Sequence, residues 1–273
     1  MIKLLYANGC SMTEGAELGT LPYSTPAEVT EFQKEYMHTH SYSGVLKNKL
    51  GIKTHINNGL SGSCNRRIAR ITISDIEKLL NNYAADEIFV IIGFTSIDRF
   101  EFYDTNYFKQ VVPASVKILG KDFKVSNSRS LKYINDKVDA ECEFISSLLT
   151  THFLEILLLK NYLESKGVKY LFSYGLIRNI LSEYPDEIDS VINNAELNIL
   201  FNLIEYSNKL KWIHDVVSPL NLEEFIHSCQ DSCFYEYLEK RKMNPGGGRH
   251  PTEKGHEIWA NHIYEHIARY KIL

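Results

Sequence analysis

The stretch Glu87-Ile88-Phe89-Val90-Ile91-Ile92, which is followed by Gly93, gives the clearest indication of the fold of this chain. A continuous apolar run of this length that stops at a glycine is typical of a central strand covered on both of its faces. A strand with one face in water would instead alternate apolar and polar residues. The stretch therefore predicts a parallel sheet that lies between two layers of helices.

Four further runs have the composition of short strands. They are Ile2–Ala7, Lys53–Ile56, Val168–Ser173 and a weaker run around Trp212-Ile213. Segments with the apolar spacing of helices lie between these runs. The clearest are Ser43–Leu50, Asn65–Tyr83, Ala140–Ser165 and Pro251–Ile272. Because strands that alternate with helices form parallel sheets with helical crossovers, we expect a three-layer α/β/α sandwich of the flavodoxin-like kind. Its sheet is expected to be five-stranded and mainly parallel.

Two segments do not fit this alternation. Residues 100–136 are rich in polar and aromatic side chains and are expected to form an insertion or a cap region. Residues 221–248 are expected to form a long loop, which ends in Pro245-Gly246-Gly247-Gly248. The chain has no internal repeat and no low-complexity segment, so we expect residues 1–273 to form a single domain.

Composition and charge argue against several classes of protein. Of the 273 residues, 44% are hydrophobic and 23% are charged, as in ordinary globular proteins. A net charge of −4 without a basic block gives no support to a nucleic-acid partner. No apolar run approaches the roughly 20 residues that a membrane span needs, so no membrane partner is expected. No signal pattern precedes the first strand, so we expect a cytoplasmic protein.

The cysteines give no metal-binding or redox pattern. The spacing of Cys10, Cys64, Cys142, Cys229 and Cys233 is irregular and fits neither a C-x-x-C pair nor a zinc ribbon. We therefore expect reduced thiols, no metal and no cofactor. The sequence leaves the oligomeric state open.

Polar turns follow the predicted strands at the edge where a parallel sheet binds its ligands. Asn8-Gly9-Cys10-Ser11 follows the first strand, residues 57–65 follow the second, and Gly93-Phe94-Thr95-Ser96 follows the third. His250 and Pro251 stand at the head of the last predicted helix, where proline fixes the backbone. A serine on a tight turn after the first strand, with a histidine before the last helix, is the layout of a hydrolase.

The chemistry of acyl transfer needs these residue types. A serine hydroxyl is a poor nucleophile until a base takes its proton, so Ser11 would need His250 within about 3 Å. Simpler interpretations stand beside this one: Ser11 could cap a helix, and His250 could face solvent. Cys10, beside Ser11, is an alternative nucleophile.

Taken in order, these turns resemble the four sequence blocks of the SGNH (GDSL-type) hydrolases. Gly9-Cys10-Ser11 is similar to the Gly-Asp-Ser block, with Cys10 in the aspartate position. Gly62 resembles the oxyanion-hole glycine. Gly93-Phe94-Thr95-Ser96 resembles the Gly-x-Asn-Asp block, with Thr95 in place of the asparagine. Arg249-His250-Pro251 resembles the end of the Asp-x-x-His block.

The chain also resembles a divergent branch of that family, seen among phage and environmental bacterial proteins. In that branch a Gly-(Trp/Phe)-Thr block precedes an Arg-x-Glu pair, which here is Arg99 and Glu101. The resemblance implies that Arg99, Glu101 and Asn65 bind substrate. Two alternatives stay open, because Arg99 and Glu101 could form a salt bridge and Asn65 could cap a helix.

The resemblance spans nearly the whole chain and implies an SGNH-type fold with a serine esterase site. Ser11 would be the nucleophile and His250 the general base. An oxyanion hole would be formed by the backbone N–H groups of Ser11 and Gly62 together with the Thr95 hydroxyl, which can donate one hydrogen bond.

One expected residue is missing, because Gly247 stands three positions before His250, where the family carries an aspartate. That carboxylate normally orients the imidazole and stabilises its charged form. The sequence favours a Ser11–His250 dyad, in which a backbone carbonyl or a water holds the other ring nitrogen. Another carboxylate could serve instead, and Asp98, Glu101 and Asp231 are the candidates. Loss of activity is the remaining alternative.

The favoured hypothesis is a serine-dependent hydrolase of a small acyl ester, such as an O-acetylated carbohydrate. The family resemblance and the 17 tyrosines, which suit a cleft for amphipathic ligands, motivate the choice of substrate. One alternative is an acyltransferase that uses the same site. Another is a non-catalytic glycan-binding or structural module that keeps the fold.

Overall fold

The computed structural model describes residues 1–19, 30–97, 99–104, 107–111, 144–176, 188–204, 233–242 and 250–273. Its strands are β1 (Leu4–Gly9), β2 (Thr54–Asn57), β3 (Ile88–Phe94), β4 (Phe100–Asp104), β5 (Tyr107–Val111) and β6 (Lys169–Tyr174). Four of them form one parallel sheet in the order β2-β1-β3-β6. The predicted parallel sheet is confirmed. It has four strands rather than five in the described part, and the run at Trp212-Ile213 lies outside that part.

The helices lie between and after these strands. They are α1 (Ser11–Glu14), α2 (Glu31–His40), α3 (Tyr42–Lys49), α4 (Asn65–Leu79), α5 (Phe144–Lys166), α6 (Ile188–Ile192), α7 (Ala195–Leu203), α8 (Phe234–Lys240) and α9 (Glu253–Tyr270). The four predicted helices are present as α3, α4, α5 and α9. Within the described part of the chain, no helix combines the length and apolar character needed to cross a membrane.

Two segments contain structure that the sequence did not predict. The expected insertion at 100–136 begins with an antiparallel hairpin made by β4 and β5. The expected long loop at 221–248 contains α8, so the prediction is wrong over that helix. A seven-residue helix makes barely two turns, which is too short for an apolar period to stand out from its neighbours.

The apolar stretch at residues 87–92 forms most of β3, which is a central strand of the sheet. All seven of its residues are buried, and it pairs with β1 on one side and β6 on the other. Gly9 pairs with Gly93, and Gly93 pairs with Ser173, so the three strands end level with one another. The turns that follow β1 and β3 therefore start from the same edge of the sheet.

Alternate residues of β3 enter two separate cores, as the side-chain period of a strand requires. Val90 and Ile92 belong to a cluster with α4, α5, α6 and α7, whereas Phe89 and Ile91 belong to a cluster with α1, α3, α8 and α9. Helices therefore cover both faces of the sheet, and the three-layer α/β/α architecture is confirmed.

The N-terminal part of α9 is fixed against α3 by a buried histidine. The His256 Nδ1 accepts a hydrogen bond of 3.0 Å from the backbone N–H of Tyr42, the first residue of α3. Its ring packs edge-on against Phe234, which in turn stacks on Trp259. Burial lowers the pKa of His256 to about 3, with a smaller contribution from His250. The ring is therefore neutral at pH 7 and can accept this bond.

Substitution of His256 by asparagine is expected to change how stability depends on pH. An unfolded histidine takes up a proton as the pH falls below about 6.5, whereas folded His256 does so only near 3. Because its folded pKa is depressed, the wild type loses stability as the pH falls from 7 towards 5, by roughly 2 kcal/mol for this one group. Asparagine can accept the Tyr42 N–H without titrating. In urea unfolding at pH 7 and pH 5, His256→Asn should lose roughly 2 kcal/mol less stability than the wild type as the pH falls. An equal loss in the two proteins would contradict the low pKa of His256.

Candidate active site

Ser11 lies on a one-turn helix that begins directly after β1 and is packed tightly on the sheet. It is the first residue of α1 and is 6% exposed. A Cβ at Gly9 would collide with the Thr13 side chain and lie 2.7 Å from the Gly93 carbonyl oxygen, so only glycine lets the turn fold so close to β3. The Thr13 hydroxyl is held 3.1 Å from the Tyr42 hydroxyl. The turn that presents Ser11 is therefore rigidly anchored.

Cys10, the alternative nucleophile, faces the protein interior. Its side chain is completely buried in the core that α1, α3, α8 and α9 form against the sheet. A Cβ on Gly175 would lie 3.3 Å from its Sγ, which places the thiol beside the residue that follows β6. Ser11, by contrast, keeps 6% of its surface exposed.

The turn after β2 is tied to α1 along its length. The N–H of Leu60 donates to the Gly9 carbonyl at 3.1 Å, and the Asn57 side chain donates to the Thr13 carbonyl at 2.8 Å. The Ser61 N–H donates to Glu14 Oε2 at 2.8 Å, and its hydroxyl donates to the same oxygen. These bonds fix the position of the next residue, Gly62, relative to Ser11.

Gly62 keeps a backbone donor available at this turn. Its φ is 79°, a left-handed conformation that suits glycine. None of the described residues accepts a hydrogen bond from its N–H. The first-turn N–H groups of Ser11 and Met12 are likewise without described acceptors, as at any helix start. Donors of this kind are what a developing oxyanion needs.

Thr95 follows β3 and is held by the side chain of Asn65, the first residue of α4. The Thr95 N–H donates to Asn65 Oδ1 at 2.8 Å, and Asn65 Nδ2 donates to the Thr95 carbonyl at 2.9 Å. The Thr95 Oγ1 is buried and has no partner among the described residues. Because an unsatisfied buried hydroxyl costs about 1–3 kcal/mol, Thr95 carries a hydrogen-bonding capacity that a ligand could satisfy.

A buried histidine orients Asn65 in turn. Asn65 Nδ2 lies 3.1 Å from His152 Nδ1, and His152 Nε2 lies 2.7 Å from the Tyr174 hydroxyl. Burial lowers the pKa of His152 to about 3, so the ring is neutral at pH 7 and Nδ1 can accept from the amide. The Asn65 side chain is thus engaged inside the protein, and Asn65 is 2% exposed. Its contacts position Thr95, whereas the sequence predicted a substrate-binding role for it.

His250 lies beside Glu17, a residue that the sequence analysis did not consider. Its Nδ1 is 3.1 Å from Glu17 Oε1, within ion-pair distance. The same Nδ1 is buried and makes no well-aligned hydrogen bond, so the two atoms are close but not yet aligned. A contact of 3.1 Å still places the carboxylate close enough to stabilise a charged imidazole ring. No hydrogen bond joins Ser11 to His250 among the described residues.

Glu17 belongs to the same turn as Ser11. The Ser11 carbonyl accepts from the N–H groups of Gly15 and Ala16, both at 3.1 Å, immediately before Glu17. The turn from α1 therefore carries Ser11 at its start and contacts His250 near its end. A signal was available in the sequence: Gly15-Ala16-Glu17-Leu18-Gly19 places an acid between two glycines, six residues after the serine.

Glu101 pairs with Arg70 on α4. Arg70 Nε donates to Glu101 Oε1 at 3.2 Å, and Arg70 Nη2 donates to Oε2 at 2.9 Å, while the Glu101 side chain is fully buried. No ion pair joins Arg99 to Glu101 within the described ranges. The Nη1 of Arg99 is buried and has no described partner. Asp98 and Asp231, the other two predicted partners of His250, lie outside the described residues.

The four segments predicted to carry the site meet at one edge of the sheet. Hydrogen bonds connect the turns that carry Ser11 and Gly62, an ion-pair contact connects the Ser11 turn to His250, and Thr95 follows the adjacent strand. No three histidine, cysteine, aspartate or glutamate side chains converge as metal ligands among the residues that can be described.

Comparison with protein families gives one match. The family described as "Family of unknown function (DUF6071)" matches residues 26–183, which is more than half of the 273 residues. The matched range contains Gly62, Asn65, Thr95 and the Arg99–Glu101 pair, but neither Ser11 nor His250. No curated protein sequence matches the chain.

Several solved structures are similar to this chain at low identity. A member of the lipolytic protein G-D-S-L family from Veillonella parvula DSM 2008 is 13% identical, with a TM-score of 0.40, covering 97% of this chain and 98% of that one. An acetyl xylan esterase from Geobacillus stearothermophilus is 12% identical, with a TM-score of 0.42 and coverages of 97% and 94%. A carbohydrate esterase family 2 enzyme with its carbohydrate-binding domain, from Corynascus thermopiles (Myceliophthora fergusii), is 10% identical. Its TM-score is 0.46 and the coverages are 98% and 66%. Likenesses at this level do not determine an activity.

Proposed function

The chain belongs to DUF6071, a family of unknown function, and we propose that it is a serine-dependent ester hydrolase. Ser11 is the nucleophile and His250 is the base. The observation that carries the proposal is the turn after β1, which presents Ser11 at its start and contacts the ring of His250 through Glu17.

The arrangement supports a two-step acyl transfer. The Ser11 oxygen attacks the ester carbonyl carbon while its proton passes to His250 Nε2. The tetrahedral intermediate then expels the alcohol, which takes that proton from the imidazolium. In the second step a water attacks the acyl-serine, again with His250 as the base, and releases the acid and free Ser11.

Backbone donors support the stabilisation of the intermediate. The N–H groups of Ser11 and Gly62 have no described acceptor and lie on two turns that are tied together by hydrogen bonds. Fixed donors of this kind stabilise charge that develops on the carbonyl oxygen, and each is worth roughly 3 kcal/mol in the transition state. Thr95 is the third donor, through its buried and unpartnered hydroxyl.

Burial at the site favours a small acyl group. Ser11 is 6% exposed and Thr95 is completely buried, which favours a compact substrate over a bulky one. An acetyl ester suits such a site better than a long acyl chain. An O-acetylated carbohydrate is the proposed substrate class, since the tyrosine-rich chain offers aromatic faces and hydroxyls that bind sugars.

A fluorophosphonate probe tests this proposal, because it reacts covalently only with an activated serine. Wild-type protein is expected to be labelled with one probe per chain, and peptide mapping should place the label on Ser11. Ser11→Ala is expected not to be labelled. Absence of labelling in the wild type, or equal labelling of the Ser11→Ala variant, would contradict the proposal.

A further inference from the structure

We propose that Glu17 is the positioning residue for His250. It has the role that an aspartate at the position of Gly247 has in the family that the sequence resembles. The inference rests on the proposed function, in which His250 is the base. It replaces the dyad that the sequence favours with a Ser11–His250–Glu17 triad in which two members come from one turn of the chain.

The geometry around Nδ1 of His250 is the first support. Glu17 Oε1 lies 3.1 Å from that atom, and the two side chains are 20% and 18% exposed. The Nδ1 atom itself is buried and has no well-aligned partner, so it needs an acceptor such as this carboxylate. Hydrogen bonds of catalytic groups are often poorly aligned before substrate binds and tighten afterwards. With Nδ1 directed at Glu17, Nε2 is the nitrogen left to serve Ser11.

The backbone of Glu17 is the second support, and it is independent of the first. Its φ is 70°, between Gly15 at 80° and Gly19 at 64°. Glycine tolerates this left-handed region, but a residue with a Cβ is strained there. Two other described non-glycine residues have positive φ, Lys242 and Lys271, and all three lie within three residues of a helix end. Strain of this kind concentrates at functional sites, and here it directs a carboxylate towards His250.

Three other acidic side chains near this edge are engaged elsewhere. Glu14 accepts from the backbone and side chain of Ser61, Glu101 is paired with Arg70, and Glu253 accepts from the Tyr36 hydroxyl at 2.5 Å. Glu17 is the carboxylate that the described part of the structure places within ion-pair distance of the ring.

Glu17 assists the attack of Ser11 on the ester carbonyl, a step that needs only the ester, Ser11 and His250. The proton from the Ser11 hydroxyl moves to Nε2 as the bond from the serine oxygen to the carbonyl carbon forms. The imidazole then carries a positive charge, with its original proton still on Nδ1. The Glu17 carboxylate stabilises that charge and keeps its own state, as the acid of a triad does.

The activity test compares Glu17→Gln with a matched control, Glu253→Gln, which removes a carboxylate three residues from His250. Glu17→Gln is expected to lower kcat for an aryl acetate by roughly 100-fold or more, with KM changed by less than about three-fold. Glu253→Gln should retain wild-type turnover. Equal kcat for wild type and Glu17→Gln would overturn the inference while leaving the proposed function intact.

Two further readouts separate a positioning role from a structural one. Glu17→Gly is expected to melt at a higher temperature than wild type, because glycine relieves the backbone strain, and yet to be as slow as Glu17→Gln. The proton on Nδ1 of His250 should give a strongly deshielded NMR resonance in the wild type that disappears in Glu17→Gln. This signal decides the inference even if the wild type shows no turnover, and its persistence in Glu17→Gln would overturn it.

Discussion

Substitution of Ser11 by alanine is expected to lower the turnover of a small aryl acetate by about 10⁴-fold or more, because it removes the nucleophile of both steps. The oxyanion donors remain in the variant, because the N–H of residue 11, the N–H of Gly62 and the Thr95 hydroxyl do not depend on the Ser11 hydroxyl. A small residual rate above the uncatalysed reaction is therefore expected. The fold should be intact, because Ser11 is the first residue of α1 and alanine is a good helix former. Steady-state kinetics of the purified variant measure the effect.

Ser165→Ala is the matched control for this substitution. Ser165 lies near the end of α5, is exposed, and donates only to the Tyr162 carbonyl at 2.8 Å. Its loss should leave turnover unchanged. If Ser11→Ala keeps more than about one tenth of the wild-type rate, Ser11 is not the nucleophile and the proposed function fails.

Substitution of Arg70 by methionine is expected to destabilise the fold by about 3 kcal/mol. Glu101 has no exposed side-chain surface and receives both hydrogen bonds of a bidentate pair from Arg70. Methionine keeps the apolar stem of arginine but leaves the buried carboxylate without its counter-charge, which is the costly way to break a buried ion pair. Urea unfolding at pH 7 gives the change in unfolding free energy.

Two controls test whether the cost comes from the stranded carboxylate. A double variant, Arg70→Met with Glu101→Leu, removes both charges and should recover most of the lost stability. Lys254→Met breaks an exposed pair with Glu257, in which the side chains are 66% and 47% exposed, and should change stability by less than about 0.5 kcal/mol. A double variant as unstable as Arg70→Met would show that packing around the guanidinium is responsible.

The sheet and its major helices were predictable because their signals are local. The run that forms β3 is apolar along its whole length since helices cover both of its faces. The helix α9 has Thr252 as its N-cap, and the Thr252 side chain accepts a hydrogen bond from the Gly255 N–H. His250 and Pro251 directly precede this N-cap in the sequence. By contrast, α8 is too short for its spacing to stand out, and β4 and β5 lie in a segment whose composition gave no alternation.

The contacts of the site were less predictable because they join distant parts of the chain. The sequence around Glu101 does not indicate whether Glu101 pairs with Arg70 or with Arg99, and closeness in the sequence favoured Arg99. Glu17 and His250 are brought together only when α9 packs against α3. The glycines around Glu17 were visible in the sequence. They do not by themselves indicate that Glu17, which lies between them, has a left-handed backbone.

A crystal structure of the phosphonylated protein would show whether Ser11, Gly62 and His250 form one site, because the adduct imitates the tetrahedral intermediate. We expect the phosphorus atom on Ser11 Oγ and the phosphoryl oxygen within about 3 Å of the Ser11 and Gly62 backbone nitrogens. The ring of His250 should lie beside the adduct with Nδ1 on Glu17. A phosphorus atom on any other residue, or a phosphoryl oxygen turned away from Gly62, would contradict the account.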